Sequence, residues 1–287
     1  MPAGFRGAGL VCGLKPSGRR DLALFVSDRP ASVAVLATQN RFAAPPVLIT
    51  RAHARSGRAQ AFVVNSGNAN AATGAQGRQD ALEMCTLVAR AIGVTPRLVL
   101  VNSTGVIGVP LDMGKIRRGI EALVSQLDPA GLNDAAEAIL TTDRRPKRTT
   151  RVWRQGGRQV RLMACAKGVG MIHPNMATMI AAVFTDAAIS PALLRRALRL
   201  AADQSFHGLT VDGDTSTNDM AVAFANGASG APAITRATSS AFKDFVAAMT
   251  SACQDLVHAI AADGEGGEGA GDVGVAGAAG GGAFLEE

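Results

Sequence analysis

Between Arg158 and Phe184 the chain leaves its fold little freedom. Arg158 to Cys165 alternates polar and apolar residues, the two-residue period of a strand with one face toward a core. Met179 to Phe184 is a continuous apolar run of strand length, which suits a strand buried on both faces. Between them lies Lys167-Gly168-Val169-Gly170-Met171-Ile172-His173-Pro174-Asn175-Met176-Ala177-Thr178, where two glycines, a proline and an asparagine impose an irregular backbone. A sharp turn held by a core strand at each end is a good place to strain a peptide bond, so chemistry is expected there first.

The rest of the chain alternates strand-length and helix-period segments. Ala61 to Val64 reads as a strand, Asp80 to Ile92 as a helix closed by Gly93, and Leu98 to Val101 as another strand. A helix is expected from Asp112 to before Pro129, a second with Ser190 as cap and Pro191 in its first turn, and a long third from Ser239 to Ile260. The pattern is α/β or α+β. With 287 residues, 47% of them apolar, the chain can bury a large core, as one elaborate domain or two ordinary ones.

A net charge of +6 raises nucleic acid or an acidic small molecule as partners. With no Tyr, one Trp and ten Phe, the chain lacks the stacking surfaces of single-strand and RNA binders. The basic cluster Arg144, Arg145, Lys147, Arg148, Arg151, Arg154, Arg158 and Arg161 reads as a solvated loop and strand face. Cys12, Cys85, Cys165 and Cys253 lie far apart, without metal-ligand spacing, and read as reduced thiols. No signal pattern opens the chain and no apolar run reaches a membrane span, so a soluble cytoplasmic protein is expected. From Gly264 to Glu287 the composition turns to Gly, Ala and Glu, and disorder is expected.

Several local patterns offer chemistry. Gly168-x-Gly170 is half of a phosphate loop but lacks the Gly-Lys-Ser/Thr ending. His173 is a candidate general base, although a lone His before a Pro is more often structural. Asp212, Asp214 and Asp219 imitate a calcium loop whose sixth-position Gly and twelfth-position Glu are out of register. Asn65-Ser66-Gly67-Asn68-Ala69-Asn70 and Asn102-Ser103-Thr104-Gly105 are small-polar turns after apolar strands. They are either plain turn chemistry or a pair of loops at one sheet edge whose N–H groups can bind an oxyanion.

The block from Lys167 to Met179 resembles the self-cleavage segment of the bifunctional ornithine acetyltransferase/glutamate N-acetyltransferase family of arginine biosynthesis, with Val169 where Ser is usual. Asn65 to Asn70, Gly74 to Gly77, Ser103 to Gly108, Thr141 to Asp143 and Val211 to Asp219 resemble that family's motifs in the family's order, over about Gly4 to Glu265. The resemblance implies a layered helix/sheet/sheet/helix fold of the self-cleaving N-terminal-nucleophile type. It implies cleavage between Ala177 and Thr178 into an α chain of 1–177 and a β chain of 178–287, which stay associated, in relatives as an α2β2 heterotetramer.

It also implies residue roles. Thr178 is the nucleophile, Thr104 and Gly105 form the oxyanion hole, and Thr142, Lys167, Thr178 and Glu265 contact substrate, with Thr141 as the neighbour to which the Thr142 match could slip. The reaction implied moves acetyl from N-acetylornithine to glutamate, with no cofactor and no metal, acetyl-CoA being a further donor for glutamate. An N-terminal-nucleophile amidase or aminopeptidase, or an inactive remnant, are the alternatives. Relatives continue past Gly266 with further sheet and helix, and the Gly/Ala-rich tail matches nothing there, which points to a truncated or frameshifted member whose sheet lacks strands.

Overall fold

The computed structural model describes residues 1–170, 179–209 and 215–264. The elements run β1 (Phe5–Leu10), β2 (Leu22–Ala37), α1 (Pro45–His53), β3 (Arg58–Asn68), α2 (Gly74–Ile92), β4 (Val99–Val106), α3 (Met113–Ser125) and α4 (Leu132–Ala138). They continue with β5 (Lys147–Gln155), β6 (Arg158–Lys167), β7 (Ile180–Thr185), α5 (Pro191–Asp203), β8 (Met220–Ala225) and α6 (Ser240–Ala261).

The helices start and stop where their side chains allow. The carboxylate of Asp112 accepts from the Lys115 N–H, and the hydroxyls of Ser190 and Ser239 accept from Leu193 and Phe242 N–H, each cap contributing about 1 kcal/mol. Gly93 ends α2 in the left-handed region, with φ 72°.

Among the described residues eight strands join in one sheet of order β4-β3-β2-β8-β7-β6-β5, with β1 also on β2. The β3–β4 and β7–β8 pairs are parallel and the others antiparallel. β2 is the hinge of this sheet. Its first half pairs with β1 and β3, its second half with β8, and the register shifts between Val26 and Ala31.

That irregularity folds the sheet into two facing layers. Phe25 pairs with Phe62 in one layer and Phe184 with Phe224 in the other, and the Phe25 and Phe184 rings stack across the gap with centroids 4.9 Å apart. The inner core takes alternate residues from β2, β3, β6, β7 and β8, closed at one side by α4. The outer face of β2–β4 is covered by α2 and α3 and that of β6–β8 by α5 and α6, so the layers are helix, sheet, sheet, helix.

The basic cluster on β5 needs one correction. Arg148 and Arg154 are solvated as expected, but Lys147 is 3% exposed and forms ion pairs of 2.6 Å with both Asp143 and Asp263. A charge in the chain's most basic stretch is drawn inward because two carboxylates, one before β5 and one after α6, meet at that point. Among the described residues no helix is long and apolar enough to cross a membrane. His173, Ala177, Thr178, Asp212, Asp214, Glu265 and the tail expected to be disordered, apart from Gly264, lie outside the described residues.

Candidate active site

Parallel β3 and β4 end side by side, Ser66 opposite Thr104 and Gly67 opposite Gly105. Ligand sites in open α/β sheets favour this position, beyond the carboxyl ends of parallel strands. The two small-polar turns therefore lie at one sheet edge, and their side chains are spent on holding it. Asn65 Nδ2 donates to the Asn68 carbonyl (2.8 Å), Ser103 Oγ donates to Asn65 Oδ1 (2.6 Å), and Asn68 Nδ2 donates to the Val109 carbonyl (3.1 Å).

Asn218 binds this edge to the entry of β8. Its Nδ2 donates to the carbonyls of Ala69 (2.8 Å) and Ser103 (2.9 Å), and its own backbone carbonyl accepts from Asn102 Nδ2 (2.9 Å). The side chain that reads locally like part of an acidic loop is thus a staple across the sheet.

Glycine is the one residue type that position 105 admits. The φ of Gly105 is +131°, and a Cβ there would fall 2.4 Å from the carbonyl carbon of Gly67. Beside it, the Thr104 hydroxyl accepts from Lys167 Nζ at 3.0 Å. An ammonium on the acceptor side of that hydroxyl leaves its O–H to donate outward and polarises it, as a donor aimed at a developing negative charge needs. Lys167 Nζ also donates to Thr141 Oγ1 at 3.2 Å, and Lys167 is 5% exposed at the last position of β6.

Thr104, Gly105, Thr142 and Lys167 all line one cavity of about 670 Å³, together with Lys15 and Ser216 to Asn218. The structure thus brings together every candidate site residue it describes, drawn from β4, the Thr141–Thr142 segment and β6. Of the two neighbouring threonines, Thr141 accepts from the lysine while Thr142 faces the same cavity.

The segment carrying these threonines is held by Asp143. Asp143 Oδ2 accepts from the Thr141 N–H (3.0 Å), and Oδ1 accepts from the Gly168 N–H (2.9 Å) and from Lys147 Nζ (2.6 Å). Burial by itself would raise this carboxyl, but the charges of Lys167 and Lys147 and the Gly168 amide hold it below the ordinary aspartate range. One ionised side chain thereby fixes both the threonine segment and the residue after Lys167.

Asp219 lies on the other side of the junction. Its Oδ1 accepts from the N–H of Met179, the residue after Thr178, at 3.1 Å. Its Oδ2 is buried and meets no hydrogen-bond partner among the described residues. Burial pushes this carboxyl up to about 8, against the lowering effect of the Met179 amide and the Lys167 charge, so near neutral pH it is largely an acid and not a carboxylate.

Sequence reasoning names neither Lys15 nor the role of Asp219. A usable signal does exist: only five of the 29 basic residues are lysines, and Lys15, Lys147 and Lys167 are the buried ones. A lysine differs from the surrounding arginines in that its ammonium is compact and its proton is readily tuned by burial.

The profile of the ArgJ family matches residues 6–282. The arginine biosynthesis bifunctional protein ArgJ of Symbiobacterium thermophilum is 50% identical over 267 residues, which cover 92% of this chain and 66% of that protein. The chain thus spans just under two thirds of that relative's length. Among solved structures, the ornithine acetyltransferase of Mycobacterium tuberculosis complexed with ornithine is 34% identical with a TM-score of 0.53, covering 60% of this chain and 92% of that one. The l-aminopeptidase D-ala-esterase/amidase of Ochrobactrum anthropi, a variant of the Ntn-hydrolase fold, is 14% identical with a TM-score of 0.51 over 92% of this chain and 85% of that one, a likeness of fold alone.

Proposed function

The chain belongs to the ArgJ family, and from that premise we propose that it cuts itself between Ala177 and Thr178 and then moves acetyl from N-acetylornithine to glutamate through an acetyl ester on Thr178. The observation that carries this reading is the Lys167–Thr104 hydrogen bond beside Gly105 in the 670 Å³ cavity. It supplies a polarised hydroxyl and an exposed backbone turn on one wall, an arrangement suited to holding an oxyanion.

In the self-cleavage step the Thr178 hydroxyl oxygen attacks the Ala177 carbonyl carbon. The Ala177–Thr178 carbon–nitrogen bond breaks as that nitrogen takes up a proton, leaving an ester. Water then hydrolyses the ester, so that residues 1–177 end in a carboxylate and Thr178 begins the second chain. Its new α-amine titrates at about 8, which lets it take the proton of its own hydroxyl without a histidine.

The mature hydroxyl attacks the acetyl carbonyl of N-acetylornithine, and the ornithine amine leaves with a proton. Thr104 and Gly105 hold the oxyanion, while Lys167 balances the substrate α-carboxylate and Glu265 its side-chain ammonium, with Thr142 against the same ligand. Glutamate's amine then attacks the acetyl ester and restores the hydroxyl. Acetyl-CoA is a further donor on the same scheme. The resemblance also supports an α2β2 assembly and a cytoplasmic setting, and it calls for no metal or cofactor.

The test is intact-protein mass spectrometry of wild type and Thr178→Ala. The wild type should give separate 1–177 and 178–287 species and, with N-acetylornithine, an acetylated second species; Thr178→Ala should remain one polypeptide. A cut Thr178→Ala chain sinks the reading.

A further inference from the structure

A transferase that uses one site for donor and acceptor faces an electrostatic conflict. N-acetylornithine and glutamate share an α-carboxylate, but their side chains end in opposite charges, an ammonium in one and a carboxylate in the other. A fixed cation at the side-chain end would repel the donor. A fixed anion with no cation beside it would repel the acceptor.

The cavity contains a second lysine that Lys167 does not account for. Lys15 is 8% exposed, lies before β2, and lines the same cavity as Thr104, Gly105 and Lys167. Its aliphatic stem crosses directly over Gly67, where a Cβ would come within 3.0 Å of Lys15 Cγ. Gly67 is the register partner of Gly105, so this stem lies one strand away from the oxyanion turn.

The backbone around Lys15 is fixed independently of any ligand. Asp21 Oδ1 accepts from the Cys12 N–H, and Asp21 Oδ2 accepts from the N–H groups of Gly13, Leu14 and Lys15, at 2.6–3.0 Å. Four amides thus wrap one carboxylate, which is itself consumed in holding the loop. Lys15 Nζ donates to the Arg20 carbonyl at 2.6 Å. An ammonium has three donors, so a neutral carbonyl on one leaves capacity for an incoming anion.

We propose that Lys15 reads the side-chain carboxylate of the acceptor, while Lys167 holds the α-carboxylate that donor and acceptor share. This rests on the acetyl-transfer reading above. The charged groups acting on Lys15 are Asp21 and Asp143, which favour its ammonium, and Arg19 and Lys167, which oppose it. Burial is the largest influence, and it brings the group down to about 8. Such a lysine loses its proton cheaply when an ornithine ammonium docks nearby, and keeps it when a glutamate carboxylate docks. A guanidinium could not make that exchange.

The test is calorimetric titration of glutamate, glutamine and N-acetylornithine into the wild type, Lys15→Met and Lys15→Arg, at pH 8.5 and in buffers of different ionisation enthalpy. Wild type should take up protons on binding glutamate but not glutamine, and Lys15→Arg should bind glutamate without that uptake. Lys15→Met should bind glutamate roughly 10- to 100-fold more weakly, while N-acetylornithine, whose ammonium gains nothing from a cation beside it, should bind no more weakly than it does to wild type. The amine of Thr178 titrates in the same range, at about 8, and is common to all three proteins, so the difference between them isolates Lys15. Equal weakening of both ligands in Lys15→Met, or proton uptake surviving in Lys15→Arg, overturns the assignment. A wild type that binds none of the three overturns the acetyl-transfer reading with it.

Discussion

Replacing Asp219 by asparagine should stabilise this protein at alkaline pH and leave it unchanged in acid. Asp219 is 1% exposed, one carboxyl oxygen takes the Met179 amide, and the other meets no partner among the described residues. Burial raises its folded-state value to about 8, whereas the unfolded chain ionises it at about 3.9. Between those values the folded state binds more protons than the unfolded one, so stability falls as pH rises. The slope is about 1.4 kcal/mol per pH unit, giving a loss on the order of 5 kcal/mol that is complete above pH 8. Asparagine keeps the acceptor for Met179 and never ionises.

Wild type and Asp219→Asn should therefore be about equally stable near pH 4 and diverge steadily to pH 8. The assay is urea unfolding followed by the fluorescence of Trp153, whose ring meets Phe245 edge-on at 6.1 Å. Both chains would carry Thr178→Ala, so that each unfolds as one polypeptide. Parallel pH profiles for the two would refute the claim that burial holds Asp219 protonated.

Gly105→Ala should abolish acetylation, lowering acetyl-enzyme formation about 100-fold or more, because the methyl must displace the Gly67 backbone; rapid quench with mass detection reads it, and a normal rate would remove Gly105 from the site. Lys147→Met should cost roughly 3–5 kcal/mol in urea unfolding, since it leaves the buried Asp143 and the partly buried Asp263 without their shared cation; a loss below about 1 kcal/mol, the range of an exposed pair, would show the pair to be solvated. Because Asp143 is held below its ordinary range, its contribution is present at neutral pH and disappears as pH falls through the acidic range, so the Lys147→Met deficit should shrink in acid titrations.

The junction between β6 and β7 and the helix starts at Asp112, Ser190 and Ser239 were legible because their signals are local: a two-residue alternation, or a capping side chain beside an apolar run. β2 was hidden because Asp28, Arg29 and Pro30 interrupt its 16 residues, and its halves belong to different layers. β5 was masked by its arginines. In the site, Thr104, Gly105, Thr142 and Lys167 were named from motifs, and the fold gathers them in one cavity. Asp219 escaped because its meaning lies in a contact with Met179, 40 residues away, which no spacing rule encodes. Lys15 escaped because its neighbours Gly67 and Lys167 are remote in sequence and meet it only once the sheet has folded.

The position of β7 and β8 between β2 and β6 has a consequence for any break in residues 171–178. The downstream piece would supply two interior staves of the sheet, clasped on one side by the β2–β8 ladder and on the other by β6–β7. Such a nick would pass unseen on a sizing column and show itself only under denaturant. Its cost would fall on renaturation, because a search within one molecule becomes an encounter between two, and recovery would depend on concentration. A chain cut there would have been assembled once, as one polypeptide, and would survive afterwards by never coming fully apart.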